Sequence, residues 1–347
     1  IDRGGAESQL LILAKEQIRK GHKVRVIYLK GKGELKESFE KIGIRVENVI
    51  ANEIFLNQIF KLRNYLKKES ELNTIIHVHL PKSQLLLVLS CVPNRRVFAT
   101  RHDSERFMAK APVKLSLLLS KIVTKRIPRW IAISESVKIK MLNSRELSDK
   151  ASIEVIPYGV EIENKTQIKR DKKSNIIFGT VARLVQQKDI GTLVRGYSIY
   201  FKSNPRSELH IVGGGPLFLE IKDLVAKYYL EKNVKMYGHV ENVHQVMSQF
   251  DVFVLASISE GFGLVMLEAM THSLPIISSD IDTLKEVVGA SNALFFKATN
   301  DSSLAQKMDE MNSIDMRIKF AEKSVERLKH FDIRNTEDQH EKLYTLC

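Results

Sequence analysis

The chain has 347 residues, 44% of them hydrophobic and 27% charged, which suits two separately cored domains and excludes a disordered chain. No apolar run reaches the ~20 residues that cross a bilayer, and two cysteines, Cys91 and Cys347, make neither a disulfide framework nor a zinc site, so a reducing compartment fits. The net charge of +13 is uneven: residues 1–170 hold 33 Lys+Arg against 18 Asp+Glu, residues 171–347 hold 21 against 23, and the first half therefore expects an anionic partner.

In chain order, Gly4-Gly5 is turn chemistry that runs at once into a helical pattern over residues 7–19. A doubly wound domain places a strand before such a turn, so the chain is expected to lack its first strand, about ten residues. Apolar strand runs follow at 24–29, 44–49, 75–78, 97–100, 130–133 and 153–156, with amphipathic stretches at 56–66 and 114–125 between them. The segment 164–175, NKTQIKRDKKSN, has nothing to bury and reads as a linker. Further strand runs occupy 176–181, 209–212, 234–237, 252–255 and 275–278, and residues 185–200 place Ile190, Leu193, Val194 and Tyr197 on one helical face. Strands alternating with helices predict parallel sheets covered on both faces, whose ligands sit at the strands' carboxyl ends.

The chemistry-bearing residues fall at those ends. Gly4-Gly5 and Gly213-Gly214-Gly215 each open a helix, where backbone amides can approach a phosphate. Arg183 and Lys188 flank the turn after 176–181, a spacing that clamps a diphosphate. Glu260 follows the strand 252–255, and Glu268 lies eight residues on, within the helix that begins near Gly263. Asp280-Ile281-Asp282 has the spacing of a metal-binding pair, but before a helix Asp282 reads as a cap, and no metal is expected. Residues 109–130 combine Leu115, Leu118, Leu119 and Ile122 with Lys114, Lys121, Lys125, Arg126 and Arg129, the composition of a basic amphipathic helix that lies on an anionic membrane or covers a sheet. Scarce aromatics and the lack of finger or RNP spacing argue against nucleic acid, and no G-x-G-x-x-G favours a nicotinamide cofactor.

Taken together, Gly4-Gly5-Ala6-Glu7, Ile131–Glu135 (IAISE), Ile156–Val160 (IPYGV), Ala182-Arg183-Leu184 with Lys188, Gly213–Pro216 (GGGP) and Ser259–Leu264 (SEGFGL) resemble, in order, the GT4-type retaining glycosyltransferases, with Glu260 and Glu268 as their E-x7-E pair. The resemblance implies a GT-B fold of two Rossmann-like domains facing across a cleft: an acceptor-side domain at 1–163, a linker at 164–175, a nucleotide-sugar domain at 176–330 and a helix at 331–347 crossing back to the first. It also implies transfer of a hexose or N-acetylhexosamine from a UDP- or GDP-linked donor, without metal or other cofactor, to a glycan or lipid-linked acceptor in cell-surface polysaccharide assembly. Glu260, His102, Arg183 and Lys188 would be catalytic. Gly4, Gly5, Arg183, Lys188, Gly214, Val240, Glu260, Gly263, Leu264 and Glu268 would bind the donor. The location implied is cytoplasmic, peripheral on the membrane. A sugar-nucleotide epimerase of the same fold, or a non-catalytic anion-binding remnant, are the alternatives.

Overall fold

The computed structural model describes residues 4–48, 50, 53–68, 74–91, 96–162 and 175–345. Most of the expected linker, like Cys347, lies outside them. The chain forms two compact units, Ile1–Glu161 with Asp332–Cys347, and Ile162–Phe331. The first begins α1 (Gly5–Arg19), β1 (Arg25–Ile27), α2 (Lys36–Lys41), β2 (Arg45–Glu47), α3 (Phe55–Lys68) and β3 (Ile75–His79). It continues α4 (Pro81–Leu89), β4 (Arg96–Arg101), α5 (Val113–Arg126), β5 (Arg129–Ala132), α6 (Glu135–Asn143) and β6 (Ser152–Val155). The second unit holds β7 (Ile177–Val181), α7 (Ile190–Phe201), β8 (Glu208–Val212), α8 (Phe218–Lys227), β9 (Val234–Gly238), α9 (Val243–Met247) and β10 (Val252–Leu255). It ends α10 (Leu264–Thr271), β11 (Ile276–Ser279), α11 (Asp282–Val288), β12 (Leu294–Phe296), α12 (Asp301–Glu310) and α13 (Ile314–Leu328), after which α14 (Ile333–Thr345) belongs to the first unit.

In the second unit six parallel strands run in the order β12-β11-β10-β7-β8-β9. Their apolar runs have both faces covered, as the near-continuous Val/Ile/Leu/Phe sequence of β10 requires: all four of its residues are buried. The core joins Phe178, Leu193, Tyr197, Ile211, Val254 and Phe296. The pattern over 185–200 is broken rather than one helix. Asp189 adopts a left-handed conformation (φ 43°) after a 3-10 turn at Gln186–Lys188, and its carboxylate accepts from Thr192 N at 3.2 Å, so α7 starts only at Ile190.

The first unit's strands divide into two parallel sheets, β1-β2 and β3-β4-β5-β6; among the described residues β1 hydrogen-bonds only β2, and β3 only β4. Val26, Phe39 and Ile44 pack under α1, while Leu343 of α14 packs on Phe98, Ile131 and Ile156. Lys20, at the end of α1, ties that helix to α14 through Glu337, Asp338 (2.5 Å) and Glu341 (2.8 Å). Burial opposes its charge, but these hydrogen bonds outweigh it and raise the Lys20 pKa.

Candidate active site

In the second unit the carboxyl ends of β7, β8 and β10 bring several of the expected residues together. The turn after β7 is laced to the glycine run after β8: Ala182 N donates to Val212 O at 3.0 Å and Leu184 N to Gly214 O at 2.8 Å. Gly213 is obligatory there. Its φ is +127°, and a Cβ would stand 2.0 Å from Ala182 O. The interlocked turns leave Arg183 exposed between two buried neighbours, Ala182 and Leu184; its carbonyl accepts from Val185 N at 2.9 Å, and its guanidinium makes no hydrogen bond or ion pair among the described residues. Lys188 closes the 3-10 turn, and its ammonium pairs with Glu260.

Glu260 is 7% exposed, so it is not the solvated loop acid that a glutamate in a Gly-rich turn usually is. Its Oε1 takes both the Lys188 ammonium and the Ser257 hydroxyl, at 2.6 Å for the latter. Ser279 Oγ in turn donates to Ser257 O at 2.5 Å, and Gln187 Nε2 to Ser259 O at 2.8 Å. Oε2 of Glu260 accepts no hydrogen bond among the described residues. Gly263 then takes a left-handed conformation (φ 86°) as the N-cap of α10, with no side chain capping the helix, so the first amides, Leu264 among them, remain available to an anion. A Cβ on Gly263 would meet Leu284 at 2.8 Å. Glu268 is half-buried in α10; burial raises its carboxyl pKa, and His244 partly offsets the rise. Gly214 and Val240 are half-buried on the loops after β8 and β9.

Asp280 and Asp282 are both exposed. Asp280 accepts from Ala298 N at 3.1 Å, and the cap of α11 is Ile281 rather than Asp282, whose place in the first turn makes it a partner of the helix dipole. Among the described residues one cluster has metal-ligand spacing, His22, Glu337 and Glu341, in the first unit, where the Lys20 ammonium already supplies the positive charge.

Gly4, Gly5 and His102 lie in the first unit, apart from this set in sequence and in compact unit. Gly4 is the extended N-cap of α1, where a Cβ would meet the Glu7 carboxylate at 2.4 Å; Gly5 has open space around it. His102 follows β4 and is held at both nitrogens, Nδ1 by the Tyr158 hydroxyl at 2.5 Å and Nε2 by His79 Nδ1 at 2.9 Å. Burial lowers the pKa of His102 and of His79, the latter to about 3, and raises that of Tyr158. The rings are therefore neutral and the phenol keeps its proton. One proton per link fixes the tautomers together: if Tyr158 donates, His102 carries its proton on Nε2 and so does His79. The far nitrogen of this chain, His79 Nε2, is buried without a partner. It lines a cavity of about 30 Å³ with Gln9, Thr100, Thr336 and His340, room for a water. A buried ion pair, Arg101 with Glu146 at 3.2 Å, anchors the loop that carries His102.

Comparison with known proteins follows the same division. The profile described as Glycosyltransferase Family 4 matches residues 3–164, and that described as Glycosyl transferases group 1 matches residues 161–327. The chain belongs to the family 4 glycosyltransferases. It is 27% identical over 335 residues to the phosphatidylinositol N-acetylglucosaminyltransferase GPI3 subunit of Saccharomyces cerevisiae, covering 90% of this chain and 72% of that protein. It is 26% identical over 271 residues to the alpha-monoglucosyldiacylglycerol synthase of Acholeplasma laidlawii, covering 69% and 67%. The crystal structure of Anabaena HepE with UDP and glucose superposes with a TM-score of 0.83 at 19% identity, over 100% of this chain and 97% of that one, which shows the GT-B fold. Among the described residues of this glycosyltransferase no helix is long and apolar enough to cross a membrane.

Sequence reasoning missed His79, Ser257 and Gln187. His79 had one readable signal, the alternation His77-Val78-His79 at the end of a strand, which points two histidines to one face.

Proposed function

We propose that this glycosyltransferase moves a hexose or N-acetylhexosamine, with retention at the anomeric carbon and without a metal, from a UDP- or GDP-linked donor to a lipid-linked or glycan acceptor at the cytoplasmic face of an anionic membrane. The second unit would take the donor. Arg183 and Lys188 neutralise the departing diphosphate, each charge-assisted hydrogen bond contributing on the order of 1.5–3 kcal/mol, and the α10 amides beside Gly263 and Leu264 add to that field. Glu260 Oε2 receives a donor hydroxyl, Glu268 the ribose, and Gly214 and Val240 border the nucleoside. Neither glutamate acts as a nucleophile; the leaving diphosphate itself takes the acceptor proton. The first unit would take the acceptor and supply His102, held by His79 and Tyr158, as a catalytic residue, while Gly4 and Gly5 would contribute to donor binding.

The observation that carries this reading is the Lys188–Glu260–Ser257 arrangement, a cation and an acid fixed together at the carboxyl ends of β7 and β10. By their names, one relative transfers N-acetylglucosamine to phosphatidylinositol and another synthesises monoglucosyldiacylglycerol, which supports a lipid acceptor. The test is to incubate the protein with UDP-glucose, UDP-N-acetylglucosamine or GDP-mannose, lipid acceptors and EDTA, and to read the product by NMR. An α-linked product formed despite EDTA is expected. An inverted product, epimerised donor without transfer, or stabilisation by NAD in place of the sugar nucleotides would contradict it.

A further inference from the structure

Helix α5 is built inside out. Its buried side is Ser116, Ser120, Val123 and Thr124. The hydroxyls hold the helix down: Met108 N donates to Ser116 Oγ at 3.0 Å, Ser120 Oγ donates to Glu146 O at 2.8 Å, and Ser148 N donates to Thr124 Oγ1 at 2.9 Å. At 3.6 residues per turn Leu115, Leu118 and Ile122 fall on the opposite side, and they are 46%, 58% and 42% exposed. Polar side chains inward and leucines outward reverse the pattern of a helix that covers a core and faces water. A sheet-covering role therefore leaves the apolar stripe unexplained, since the sheet side is filled by other residues.

The flank of that stripe carries Lys114, Lys121 and Lys125, all exposed and one or two turns apart. Residues 109–130 hold six basic side chains and no acidic one, within a first half where 33 Lys+Arg stand against 18 Asp+Glu. An apolar strip beside an unbroken cationic row fits a surface whose phosphates lie above its hydrocarbon, and three side chains cover far less than the ~800 Å² each partner of a stable protein pair buries.

We propose that the outward face of α5 is the membrane-docking element, lying in the plane of an anionic bilayer with Leu115, Leu118 and Ile122 in the acyl boundary and the lysine row among the headgroup phosphates. This rests on the membrane-surface reading above and names the residues that would execute it. The whole protein is tested by co-sedimentation with phosphatidylglycerol–phosphatidylcholine vesicles at low salt. Leu115→Ser/Leu118→Ser/Ile122→Ser is expected to lose binding by at least about tenfold, with UDP still stabilising it as proof of folding. Lys114→Glu/Lys121→Glu/Lys125→Glu should lose the salt-sensitive part. With Trp130 buried, Leu118→Trp adds the one lipid-accessible indole, and brominated lipid should quench it. No binding by the unaltered protein would sink the membrane-surface reading itself. Binding that survives the serine changes, or no quenching of the new indole, would overturn the assignment to α5 alone. A dimer in solution that the serine changes dissociate would overturn it as well, by giving the stripe to a second copy.

Discussion

Glu260 is held through one oxygen. Oε1 takes both Ser257 and Lys188, which orients the carboxylate, and Oε2 accepts no hydrogen bond among the described residues. Glu260→Gln preserves the shape and the serine bond but strands the lysine, so transfer should fall by about 100-fold or more while the protein stays folded; steady-state kinetics and a melting curve check both halves. The histidines make a second, pH-dependent prediction. Burial holds His79 near 3 and His340 near 4, against an ordinary 6.5. Between those values the unfolded chain binds protons that the folded one refuses, so stability is intact above about pH 6.5 and is lost as pH falls. For His340 alone the loss is about 2 kcal/mol by pH 5, and denaturant unfolding at the two pH values, with His340→Asn as the variant that flattens the slope, measures it. The glutamate and the cations were legible because each stands beside glycine or strand signals in the sequence. His79 was not, because its meaning comes from β3–β4 register, which sets His79 opposite Thr100 and so beside His102.

At the scale of elements the β–α alternation was readable throughout, since apolar strand runs and helical periodicity are local. Where it misled, a single residue decided. Asp189 in a left-handed conformation ends one turn and caps α7, so what reads as one helix is two pieces. Periodicity also cannot tell which side of a helix faces in: α5 has an apolar stripe on either reading, and only the hydroxyl contacts at Ser116, Ser120 and Thr124 assign it outward. The turn after β8, in the second unit, is tightly constrained at Gly213. Gly213→Ala puts a methyl carbon into Ala182 O and asks an alanine to hold a strongly positive φ. It should cost at least about 2–3 kcal/mol and separate the two turns that present Arg183, read as a lower unfolding midpoint together with weaker UDP binding.

For the molecule as a whole, two parallel α/β units and their charge asymmetry were expected from composition and pattern, and the fold is GT-B. The split of the first unit into β1-β2 and β3–β6 was not readable, because sheet membership depends on pairing between distant strands. The charge asymmetry suits the division of labour proposed above, in which the basic half would meet an anionic surface and the near-neutral half would supply a few placed cations to one diphosphate. Calorimetric titration of UDP and of uridine into the protein and into an Arg183→Ala/Lys188→Ala variant tests that division most directly. UDP affinity is expected to fall by at least about tenfold in the variant while uridine affinity is unchanged; equal UDP affinity in the two proteins would refute diphosphate capture by Arg183 and Lys188.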